Sequence, residues 1–258
     1  AQCNELLKDK AGSICVMDIY TGEIIAMNSA PSFDPNMFLY GMNEKKWKEM
    51  QKDKLKPLLN KTISGLYSPG STIKPIVALS ALENDLVRTD MNVRCNGKIE
   101  MYGHTYHCWK KKGHGNVTLK NAIKQSCDIY FYEVARILGV DRLNITANKF
   151  GLGNKVLGEF YSNEKKGLVP STKWKKQELD ENWYLGETFI TGIGQGYIQS
   201  NPLQLCLMTA QLANGGHKIY PKIVVDKNQL SYEQIKEKIN NQIKESKKKD
   251  NFLIKSTE

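Results

Sequence analysis

Two short early runs are largely apolar. Residues 13–19 and 23–29 are rich in Ile, Val and Met and flank Thr21-Gly22-Glu23, the pattern of a β-hairpin. Residues 30–43 carry Pro31, Pro35 and Gly41 and read as a loop, and the lysine-rich stretch 44–56 reads as a short helix. From residue 71 to about 84 the pattern changes. Ile73, Ile76, Val77, Ala78, Leu79, Ala81 and Leu82 leave little polar surface on any side. That predicts a helix buried all round, with only its N-terminal end in solvent. Residues 91–117 show little periodicity, are rich in Gly, His, Cys and Trp, and read as a loop. A helix over about 118–125 follows, then one over 128–138 stopped by Gly139. Ser200-Asn201-Pro202 starts a further helix, with Pro in its first turn and Asn214-Gly215-Gly216 at its end. Ser231 and Gln234 make a capping-box pattern for a last helix, where Ile235, Ile239 and Ile243 share a face. The opening AQCNELLKDK also reads as helix. There is no internal repeat, and the expected class is α+β with helix dominant.

A chain of 258 residues can form one large domain or two small ones, and we take 1–258 as one. Its hydrophobic fraction of 40% and charged fraction of 25% are those of an ordinary soluble globular protein. The net charge of +10 is compatible with nucleic acid or an anionic membrane surface. The lysines, however, are scattered in clusters such as EKKWKEMQKDKLK, WKKK, STKWKK and KESKKKD, with no nucleic-acid fold signature beside them. A solvated surface is the reading, with no nucleic acid as partner. The longest apolar segments, IVALSAL and LQLCLMTAQLA, are too short to span a membrane. The chain starts without Met or a signal peptide, so its N-terminus is expected to be a cut end.

The candidate chemistry begins at Ser71-Thr72-Ile73-Lys74 in YSPGSTIKPIVALSALE. Residues i and i+3 share a helix face, so the hydroxyl and the amine can meet. A serine hydroxyl is a poor nucleophile until a base takes its proton, and a desolvated neutral lysine can do so. A bare S-x-x-K arises often by chance; set in P-G-S-T-I-K-P ahead of an apolar helix it is specific.

That motif resembles the active-site serine motif of penicillin-binding proteins and serine β-lactamases. Ser126-Cys127-Asp128, between two helical runs, is similar to the family's second motif, S-x-N or S-x-D. GSICVMDIYTGEIIAMNSAPSFDPN resembles its first two strands, and WYLGETFITGIGQGYIQSNPLQL the glycine-rich approach to its large late helix. The order and spacing fit the class B penicillin-binding proteins, and among them the elongation-type peptidoglycan D,D-transpeptidases. The resemblance implies the penicillin-binding protein/serine β-lactamase-like transpeptidase fold. It also implies cross-linking of peptidoglycan stem peptides and acylation by β-lactam antibiotics. Ser71 would be the nucleophile, with its backbone N–H as one oxyanion donor, and Lys74 its base. Ser126 would relay the proton to the leaving nitrogen. Asp128 would stand where many relatives carry an Asn that binds substrate, and as a carboxylate it can hold a lysine ammonium but cannot donate. Burial and a nearby positive charge are expected to keep Lys74 neutral.

The third family motif, K-[ST]-G, is absent from this sequence. The expectation is a transpeptidase domain truncated at both ends. It would lack the C-terminal strands, a membrane anchor and an N-terminal module, and its parent would face the periplasm from the bacterial inner membrane. By the same resemblance a membrane-embedded glycan polymerase of the elongation machinery is the expected partner. Two rival readings stay open. One is a serine β-lactamase or β-lactam sensor domain; the other is a non-catalytic, zinc-stabilised interaction module.

Six cysteines complete the chemistry. Cys15 and Cys206 lie among apolar neighbours and read as core, while Cys3 stands apart near the N-terminus. Cys95, Cys108, His114 and Cys127 form C-x12-C-x5-H-x12-C, and three thiolates with one imidazole suit tetrahedral zinc. Some elongation-type relatives bind zinc at the matching places, which implies the same four ligands here. A Cys95–Cys108 disulfide beside a buried Cys127 is the alternative, and His104 and His107 are nearby substitutes as ligands.

Overall fold

In the computed structural model, residues 2–158 and 161–224 are described, together with 233, 234, 237 and 241. The chain forms two compact units: one from residues 1–67, 155–166 and 200–245, the other from 68–154, 167–199 and 246–258. Ser231, Ile235, Ile239 and Ile243, on which the last predicted helix rests, lie outside the described residues.

The first unit opens with the short helix α1 (Gln2–Leu6) and the antiparallel strands β1 (Gly12–Met17) and β2 (Ile24–Ala30). The hairpin closes where the sequence places it. Asp18 Oδ1 accepts from the N–H groups of Tyr20 (2.9 Å) and Thr21 (2.7 Å), an Asx arrangement that fixes the reversal. The expected loop over 30–43 contains the one-turn helix α2 (Asn36–Leu39), and α3 (Glu44–Lys52) is the lysine-rich helix, capped by Asn43 accepting from Lys46 N–H.

The second unit begins with a 3-10 turn, Gly70–Ile73, that runs directly into α4 (Lys74–Glu83). The helix expected from residue 71 thus starts tighter and turns α only at Lys74, with Pro75 in its first turn. Its interior is apolar and packed as predicted: Ile73, Ile76, Val77 and Ala81 are fully buried. Both ends reach solvent, since Asn84 is exposed as well as Ser71.

Residues 91–117 correct the loop assignment. They hold β3 (Asn92–Cys95), β4 (Lys98–Met101), β5 (His104–His107) and β6 (Gly115–Thr118), the last reaching one residue further, paired antiparallel as β3–β6 and β4–β5. Four-residue strands are too short for a period of two to stand out, and three of the four carry at most one buried side chain while β5 carries none. Next come α5 (Leu119–Lys124), α6 (Asp128–Leu138), which ends at Gly139 with φ +77°, and α7 (Val140–Lys149). The sequence reading did not foresee α7, nor α8 (Thr172–Leu179) and α9 (Leu185–Gly192). α4 packs on α6 and α7, and α6 also packs on α9. A buried hydroxyl pair, Thr146 Oγ1 donating to Ser80 Oγ at 2.9 Å, joins α7 to α4.

The chain then returns to the first unit as α10 (Pro202–Ala213). Asn201 caps it, accepting from Gln204 N–H while Gln204 Oε1 accepts from Asn201 N–H, a reciprocal capping box. Leu203, Leu207 and Ala210 pack with Met17, Ile63 and Ile219 as this unit's core. Cys15 and Cys206 border that core half-buried, with Cys206 Sγ 3.7 Å from the Cys15 carbonyl.

Candidate active site and metal centre

Ser71 lies exposed in the 3-10 turn, and its carbonyl accepts from Lys74 N–H. In a 3-10 turn residues i and i+3 eclipse one another, so the two side chains leave the backbone in the same direction. The turn is anchored from behind by Gly70 N–H, which donates to Gly194 O at 2.8 Å. Gly194 has φ +77°, and a Cβ there would sit 2.1 Å from Gly70 O. Only glycine permits this approach.

Lys74 is the second-motif contact. Its side chain is 2% exposed, and Nζ donates to Asp128 Oδ1 (2.6 Å), Ser126 Oγ (3.0 Å) and Ser126 O (3.0 Å). These three acceptors use all three ammonium protons. The Phe131 ring adds a face 5.5 Å from Nζ. The structure therefore brings Lys74, Ser126 and Asp128 together, one turn from Ser71. One expectation is corrected: the charged group that meets Lys74 Nζ is the Asp128 carboxylate, not a cation.

The turn that presents Ser126 is built from local rules. Cys127 N–H donates to Ala122 O at 2.9 Å as α5 ends, and Cys127 is the N-cap of α6. Between them Ser126 takes φ +51°, left-handed for a residue with a Cβ. Such conformations cost roughly 1–3 kcal/mol and persist where surrounding bonds over-determine them.

Cys95, Cys108, His114 and Cys127 meet as predicted. Their ligand atoms all lie within 4.8 Å of one another, and His114 Nδ1 is 3.5 Å from both Cys95 Sγ and Cys108 Sγ. Tetrahedral zinc with Zn–S about 2.3 Å and Zn–N about 2.0–2.1 Å requires S···N edges of roughly 3.5 Å. The residues fit. All three thiols are free and buried, so the disulfide alternative is not the arrangement found. His104 and His107 are exposed and stand outside the group. Gly113 makes the closure possible, because a Cβ there would lie 2.1 Å from Cys95 O. The electrostatics suit a bound cation. Burial pushes the Cys127 thiol up to about 12, raises Cys108, and holds His114 below its ordinary value. Neutral imidazole is the ligating form, and a divalent ion would compensate the thiolates that burial alone disfavours.

The sequence reading missed Trp109 and Gly194. Trp109 was part of a lysine cluster, and nothing short-range marks its contacts with residues 125, 126 and 128. Gly194 lies in GIGQGY, where the sequence shows a glycine-rich stretch but not its partner Gly70. Lys175, in the STKWKK cluster read as solvated surface, is instead buried, with Nζ 2.5 Å from Glu187 Oε1 and 3.2 Å from Glu181 Oε2.

Comparison with known proteins gives the family. The penicillin binding protein transpeptidase domain family matches residues 12–251. The peptidoglycan D,D-transpeptidase MrdA of Acinetobacter baumannii is 38% identical over 223 residues, covering 86% of this chain and 33% of that protein. The chain thus spans about a third of the length of such curated relatives. Among solved structures, Pseudomonas aeruginosa PBP2 in complex with WCK 5153 superposes with a TM-score of 0.81 at 39% identity, over 93% of this chain and 55% of that one. Helicobacter pylori PBP2, solved in complex with MreC, gives 0.81 at 34% identity, over 92% and 45%. By fold, motif order and similarity over most of its length, the chain belongs to the penicillin-binding protein transpeptidase family.

Proposed function

We propose that this chain is part of a serine D,D-transpeptidase that cross-links peptidoglycan stem peptides during cell elongation. One observation carries the reading: a buried lysine, one turn behind an exposed serine, held by a second serine and a carboxylate. Ser71 Oγ attacks the carbonyl of a D-alanyl-D-alanine bond, forming an ester and expelling the terminal alanine. The amino group of a second stem peptide then takes the acyl group, which restores the serine. In its neutral form Lys74 takes the serine proton, and Asp128, with Oδ1 2.6 Å from Nζ, stabilises the ammonium that results. Ser126 Oγ, hydrogen-bonded to Lys74 Nζ, passes a proton to the departing nitrogen. The Ser71 N–H supplies one oxyanion donor. β-Lactams acylate the same serine.

Cys95, Cys108, His114 and Cys127 are proposed to hold a structural zinc, closed by four protein ligands. When bound it supplies folding energy and no chemical step. By kinship with relatives, the whole protein acts at the periplasmic face of the inner membrane, and its partners are a membrane-embedded glycan polymerase and an MreC-type protein. Labelling with a fluorescent penicillin tests the core of the reading. Full-length protein should label, and Ser71→Ala should not; equal labelling of the two would overturn it. Lys74→Ala should label at least a hundredfold more slowly, the scale of a lost general base.

A further inference from the structure

Trp109 touches the second motif from the metal-ligand loop in three ways. Its main-chain N–H donates to Asp128 Oδ2 at 3.0 Å. Its indole N–H lies 3.1 Å from both Gln125 O and Ser126 O, a shared bond to consecutive carbonyls. Its ring meets the His114 imidazole at 5.3 Å, inclined 66°. Lys74 uses the other side of the same groups: Asp128 Oδ1, Ser126 O and Ser126 Oγ. Two of the three acceptors that aim the lysine therefore belong to groups also bound by Trp109. Trp109 is 64% exposed as a residue, too open to be explained as core filling. What it contributes is the donor at its edge, set against a serine whose left-handed backbone needs outside support.

We propose that Trp109 is a positioning residue for acyl transfer. Its indole N–H fixes the Ser126 carbonyl and its amide fixes Asp128, so that Lys74 and the Ser126 hydroxyl are held toward Ser71. Trp109 touches no reacting atom. The proposal rests on the transpeptidase reading above and adds to it a link between the His114 side of the loop and the amine.

The test separates the indole donor from the shape of the ring. In the full-length protein, Trp109 is replaced by β-(3-benzothienyl)alanine, which keeps the bicyclic outline and lacks only the N–H. Trp109→Phe is the genetic counterpart. Stopped-flow acylation by a β-lactam yields the noncovalent affinity and the acylation rate constant separately. Loss of one neutral hydrogen bond at a positioning group should lower the acylation rate constant roughly three- to tenfold. The noncovalent affinity, zinc content and melting temperature should stay as in wild type. A merely structural residue would instead lower the melting temperature and the fraction of protein that labels, leaving the rate constant of the labelled fraction unchanged. An acylation rate constant within threefold of wild type for the isostere overturns the assignment alone. Wild-type protein that takes no label at Ser71 overturns both the assignment and the reading beneath it.

Discussion

Between Ser71 and Lys74 a single 3-10 turn takes one side chain out to solvent and buries the other to 2% exposure. Burial makes the amine dependent on its partner. Taking Asp128 away leaves a desolvated ammonium with two neutral acceptors, and breaking a buried pair in this way typically costs about 3–5 kcal/mol. Asp128→Ala should therefore shift the urea midpoint strongly downward, whereas Asp128→Asn, which keeps an acceptor, should shift it less; equal midpoints for Asp128→Ala and wild type would contradict the pairing. Gly194→Ala is the second sensitive point. The added methyl meets Gly70 O at 2.1 Å in a left-handed backbone, so the turn before Ser71 must move. Acylation should slow by at least tenfold, and an unchanged rate would show that the turn is not held there. Ser71 and Lys74 were legible in the sequence because their relation is local, three residues apart on one turn. Trp109 and Gly194 were not, because their partners lie 16–19 and 124 residues away.

Among the elements, those with long apolar faces were read correctly. α6 has the predicted limits, and α10 begins and ends at the predicted Asn201 and Asn214 caps. The four short strands of residues 91–117 were read as loop because their fixation comes from pairing and from the cysteine group, not from a repeating apolar face. α7, α8 and α9 went unread although signals were present: Gly139 stands directly before α7, and Ser171 caps α8 by accepting from Trp174 N–H. One element-level prediction concerns pH. His217 follows the Asn214 cap of α10, its N–H donating to Asn214 Oδ1, and burial lowers its imidazole from the ordinary 6.5. A depressed folded value means the neutral ring is favoured, so its contribution is full above pH 6.5 and is lost as pH falls below that. Wild type should lose stability between pH 7.5 and 5, and His217→Gln should lose less; parallel thermal-melt curves for the two would contradict the assignment.

Across the whole molecule, family and fold were legible because four ordered motifs span both compact units. The metal group was legible as a set of residue types, although its closure depends on Gly113 and on the β3–β6 and β4–β5 pairings. Protein purified without added metal should carry about one zinc per chain, as a single four-ligand site requires. Cys108→Ser should lose the metal and melt at a lower temperature, while Cys206→Ser, altered at the edge of the other unit's core, should keep it. Metal retained by Cys108→Ser would contradict the ligand set. Ser71 is the proposed nucleophile of a transpeptidase. The most direct measurement is peptide mass spectrometry of full-length protein after reaction with penicillin. One adduct, of the mass of the opened β-lactam, is expected on the peptide containing PGSTIKP, localised to Ser71. An adduct on another serine, or unmodified protein after prolonged exposure, would contradict it.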